Sequence, residues 1–144
     1  MEIFFGVQIS DKADYISKAS IQVQDLVNSV IENSSYGSSL KKLHIGLICV
    51  APEYRQFHTV RKPRYSYETM TDEKGKLNKR VSGIEYEIFL DYDSYIELDR
   101  DSVKAKLIAD FFSSLDILES DAVKKKIGNF DVDKFKVDLS AKLK

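Results

Sequence analysis

The stretch LHIGLICV, residues 43–50, is polar only at His44. A strand with one wet face alternates apolar and polar side chains. An uninterrupted apolar run of this length reads as a strand buried on both faces. It therefore belongs in the centre of a sheet, and the rest of the chain must supply its neighbours and its cover.

Upstream, EIFFGVQ (Glu2–Gln8) reads as a short strand with Ile3, Phe5 and Val7 on one face. Gly6 marks a bulge or a close backbone approach. Ala13, Ile16, Ala19, Val23, Val27, Val30 and Ile31 then recur at helical spacing, with Ser10 or Asp11 as N-cap. The polar run NSSYGSS closes that helix. Downstream, the segment from Pro52 to Pro63 reads as a long loop with a helical turn at Pro52–Phe57. RYSYETM and VSGIEYEIFLDY both alternate around a charged, Gly-containing connection, which predicts a hairpin. Val103, Leu107, Phe111, Leu115 and Leu118 form one helical stripe capped by Asp101. A short turn ends at Gly128, and Val132, Phe135, Leu139 and Leu143 mark a last helix. The expected fold is α+β, in the order βαβββαα. It has a single mainly antiparallel sheet of about four strands, with helices packed on one face.

The 144 residues predict one domain, spanning 1–144. With 43% hydrophobic residues and 31% charged residues, the chain can build a core and is not disordered by composition. The net charge of −1 gives no global pull toward nucleic acid or membrane. Local charge is uneven. Residues 61–83 carry net +4, and residues 84–101 carry net −6. One cysteine, Cys49, excludes an intrachain disulfide and a cysteine-built zinc site. No secretion signal or membrane span is legible, so the expected location is the cytoplasm.

The catalytic motifs are missing: no GxSxG, no GxxxxGK[ST], no GxGxxG. His44 reads as a hydrogen-bonded core histidine. A Cys49–His58 dyad is disfavoured because Cys49 sits in a buried strand. No cofactor is expected. The stretch IEYEIFLDYDSYIELDRD, residues 84–101, holds seven carboxylates. As an EF-hand from Asp91 it fails, with Ile96 where glycine is needed and Ser102 where a bidentate glutamate is needed. As a nuclease strand it lacks a lysine two residues after Glu87, where Phe89 stands.

Two readings of this stretch remain. In one it is the wet face of a strand, paired with the preceding basic block and ending in helix caps. In the other, Glu85, Glu87, Asp91, Asp93 and Glu97 steer a basic protein surface, and Tyr92 and Tyr95 anchor it. Tyr54, Arg55, His58 and Arg61 in the long loop form a secondary rim. Two alternatives use the same residues differently. One is a metal-dependent hydrolase or nuclease on the strand carboxylates. The other is a small nucleic-acid-binding module on the Arg55–Arg64 loop.

In KKLHIGLICVAPEY, the loop after it and GIEYEIFLDY, the chain resembles immunity protein family 44 of bacterial polymorphic toxin systems. The similarity is one of layout over roughly Ile3 to Leu118, and it carries no functional residue across. The resemblance implies a cytoplasmic, non-enzymatic inhibitor that binds a cognate toxin domain encoded beside it.

Overall fold

The computed structural model describes residues 1–8, 14–40, 43–51, 53, 84–119, 121, 123, 124, 128 and 130–143. Three strands make one sheet: β1 (Glu2–Gln8), β2 (Leu43–Val50) and β3 (Ile84–Phe89), in the order β1-β2-β3. The helices are α1 (Asp14–Glu32), the single turn α2 (Gly37–Leu40), α3 (Tyr92–Ile96), α4 (Arg100–Ser114) and α5 (Val132–Lys142). A 3-10 helix, Leu115–Glu119, follows α4.

β2 is central, as its continuous apolar run requires, and seven of its eight residues are buried. The direction of its neighbours overturns the antiparallel, four-stranded expectation. Both β1 and β3 run parallel to β2, and the sheet has three strands among the described residues. The neighbour of β3 in the sheet is β2, and the two run parallel. A period of two says which side chains share a face, and that alternation is the same in either direction. The expected first arm, RYSYETM, lies outside the described residues, as does the N-cap at Ser10 or Asp11.

The core lies on one face of the sheet. Ile3, Phe5, Leu43, Ile45, Leu47, Cys49 and Ile88 join the buried stripes of α1, α4 and α5 in a single cluster. The stripe read from the sequence of α4 is buried throughout: Val103, Leu107, Phe111, then Leu115 and Leu118. Each such side chain is worth about 2 kcal/mol relative to exposure. On the other face, Ile48, Val50 and Phe89 form a second, smaller buried cluster. Gly6 belongs to a close approach there. A Cβ on it would stand 2.9 Å from Ile48 Cδ1. Gly128 has φ 74°, and its N–H donates to Lys124 O at 2.9 Å, the left-handed stop expected after the preceding turn.

α1 does more than cover the core. Asn28 Oδ1 accepts from Ile3 N–H at 2.8 Å, and Asn28 Nδ2 donates to the Ile3 carbonyl at 2.9 Å. One turn earlier, Gln24 Oε1 accepts from Phe5 N–H at 2.9 Å. Two amide side chains at i and i+4 thus stand where a further strand would pair, and they close the β1 edge. Replacing Asn28 by Ala strands both backbone groups of Ile3 in a half-buried place. The expected cost is about 1–3 kcal/mol. In urea this appears as a lower midpoint with an unchanged slope, whereas Asp25→Ala on the exposed side of α1 stays near wild type. An Asn28→Ala loss no greater than that of Asp25→Ala would remove the edge-closing role.

Candidate functional site

The acidic stretch leaves the sheet at its C-terminal edge. Leu90 adds one more rung, donating its N–H to the Ile48 carbonyl at 2.7 Å, and is buried. The chain then turns into α3. Asp91 is its N-cap, extended in backbone, and makes no side-chain cap bond. The Ser94 hydroxyl donates to the Asp91 carbonyl at 2.9 Å. A five-residue helix does not stand alone in water, so tertiary contacts must hold it.

Tyr95 supplies the first of these. In the sequence it reads as an anchor for a partner; in the fold it is 0% exposed and belongs to the core. Its hydroxyl donates to Asp110 Oδ2 on α4. Lys106 Nζ lies 5.0 Å from the Tyr95 ring centroid and 3.6 Å from Asp110 Oδ2. Tyr15 supplies the second. From α1 its hydroxyl donates to the Leu98 carbonyl at 2.6 Å, and Arg100 sits 5.4 Å over its ring. The α3–α4 turn is therefore tied to α1 on one side and to α4 on the other. No spacing in the sequence marks Tyr15, because its partner is 83 residues away.

On this frame Asp91, Asp93, Glu97, Asp99 and Asp101 are all exposed, and none of the five forms an ion pair among the described residues. Asp99, not Asp101, caps α4, accepting from Ser102 N–H at 2.9 Å. Tyr92 is half-buried and packs against the core. Glu87 is half-buried on β3, and Glu85 contributes its backbone to the β3 register opposite His44. The expected rim of Tyr54, Arg55, His58 and Arg61 lies outside the described residues.

His44 is not a core histidine. Its side chain is 36% exposed, and its Nδ1 stands 3.5 Å from Glu2 Oε2. Cys49 is buried. Among the described residues no group of three or more His, Cys, Asp or Glu could hold a metal ion. No helix there is long and apolar enough to cross a membrane. A groove of about 470 Å³ runs beside α5 and is lined by Phe112, Lys136, Val137, Ser140 and Ala141. None of the acidic-stretch residues lines it.

The Ser102 hydroxyl and its backbone N–H hold the Asp99 carboxyl below its usual value. A group lowered in the folded state contributes stability above its unfolded value and loses it as pH falls through the folded one. The thermal-midpoint gap between wild type and Asp99→Ala is therefore full at neutral pH. It closes as pH drops below about 4. A gap that stays constant down to acid pH would contradict the cap's role.

Comparison with curated proteins and with solved structures finds no match. A family model described as Immunity protein 44 matches residues 1–144. That match takes in the parallel sheet, the helices and the acidic α3–α4 turn together, and the chain belongs to the immunity protein 44 family.

Proposed function

We propose that this chain binds a cognate toxin domain and neutralises it by occlusion, with the acidic α3–α4 turn facing a basic surface of the toxin. Membership of the immunity protein 44 family supports the immunity role. The observation that carries the binding surface is the set of five exposed carboxylates without an ion pair among the described residues, on a turn held by Tyr15 and Tyr95.

Residues 91–101 carry five acidic groups and one basic group. Like charges this close repel, and water and salt only moderate the cost. A surface that keeps them unpaired also projects a field that draws in cations and repels anions. Such a field speeds encounter with a basic partner and orients it before contact. Because the turn is tied down in the free protein, little ordering remains to be done on binding. Asp91, Asp93 and Glu97 form the centre of the surface, and Glu87 and Tyr92 flank it. Tyr95 acts from beneath, as support. In this reading the protein works in the cytoplasm as a single domain, without a cofactor and without catalysis of its own.

The test uses the toxin domain encoded beside this chain. The double variant Asp91→Lys, Asp93→Lys is expected to slow association roughly tenfold or more at low salt and to flatten its salt dependence. Circular dichroism and thermal midpoint establish that the variant is folded. Unchanged affinity and salt dependence in that folded variant would falsify the acidic-surface mechanism.

A further inference from the structure

The geometry points to Ile96 as the apolar contact of this surface, seated in the toxin beside the cations that meet Asp93 and Glu97. The inference rests on the toxin-binding reading above and deepens it from a charge to a shape.

Burial of Tyr95 decides what its neighbour does. Consecutive helical residues are rotated by about 100°, so a Tyr95 pointing into the core sends Ile96 outward. Ile96 is 43% exposed, one of five large apolar side chains left in water among the described residues, beside Phe4, Ile21, Leu26 and Val137, and the one that stands on the acidic turn. Leu98, two residues on, packs back against the core, and Tyr15 holds its carbonyl at 2.6 Å. Ile96 therefore stands between two fixed points, and its branched side chain has little rotamer freedom to lose on binding.

Its surroundings form two parallel rows. Tyr92 and Ile96 are an i,i+4 apolar pair. Asp93 and Glu97 are an i,i+4 pair of like charges beside it, and both are exposed. Like charges at this spacing weaken a helix, and α3 is only five residues long. A partner that sets a Lys or Arg against Asp93 and Glu97 removes that repulsion and covers Ile96 in the same contact. The occupant is accordingly a protein surface with an apolar depression edged by cations. A polyanion is repelled by the same carboxylates, and an uncharged apolar surface leaves them desolvated and unpaired. Charge thus provides encounter and register, and Ile96 provides residence.

The experiment measures association and dissociation rates of the adjacent-gene toxin domain with four proteins: wild type, Ile96→Ala, Ile96→Lys and the double variant D93N/E97Q. Ile96→Ala is expected to weaken binding roughly tenfold, through faster dissociation and with the salt dependence of association unchanged. Ile96→Lys, tolerated by the fold at an exposed position, places a cation among the partner's cations and weakens binding further. D93N/E97Q slows association, flattens its salt dependence and raises the thermal midpoint of the free protein. If wild type binds, and both Ile96 variants dissociate at the wild-type rate, the assignment of Ile96 is wrong while the acidic surface stands. If wild type does not bind this toxin at all, the toxin-binding reading fails and takes the assignment with it.

Discussion

Everything in this fold depends on a strand that is buried on both faces at every residue but His44. β2 buries side chains on both faces, so water cannot satisfy its backbone from above or below. Its N–H and C=O groups must be paired along both edges, and β1 and β3 do that. Because both neighbours run parallel to it, each must be reached by a crossover rather than by a tight turn. α1 is the first crossover. It connects β1 to β2 and packs against β1. The outer edge of β1 then needs closing, and Gln24 and Asn28 from that same helix close it.

The acidic turn is the downstream consequence of this frame. β3 ends beside the last residues of β2, and the chain must return over the core to start α4. It does so through α3, too short to hold itself. Three long-range contacts fix it: Tyr95 to Asp110, Lys106 over the Tyr95 ring, and Tyr15 to the Leu98 carbonyl. The aromatic residues are spent inward, as struts, and the carboxylates are left outside. The aromatic struts supply rigidity and the carboxylates outside supply charge, the combination the proposed binding surface needs.

The charge of the turn makes sense only locally. The whole chain is nearly neutral at −1, so it has no long-range preference as a body. The field is strong near Asp91 to Asp101 and fades over a Debye length, about 8 Å at physiological salt. In the proposed toxin-binding reading, such a patch provides orientation more than bulk attraction. A partner approaching at the α5 side meets mixed charge and a shallow apolar groove instead.

Amino-acid order alone determined the elements that rest on strong periodicity. The doubly buried β2, the inward faces of β1 and α1, and the stripe of α4 are all legible, because 3.6- and 2-residue periods report burial directly. The concentration of carboxylates in 84–101 and the absence of catalytic motifs are equally plain in the sequence. Tertiary structure alone decided the rest. It set the parallel direction of β1 and β3, since alternation carries no sense of direction. It sent Tyr95 inward and Ile96 outward, since five residues hold too little periodicity to orient a helix. It left His44 at the surface beside Glu2, on a strand whose every other residue is buried. It also recruited Tyr15, Gln24 and Asn28, whose partners lie far along the chain. A one-dimensional pattern registers which side chains avoid water; it does not register which distant backbone group a hydroxyl or an amide will find.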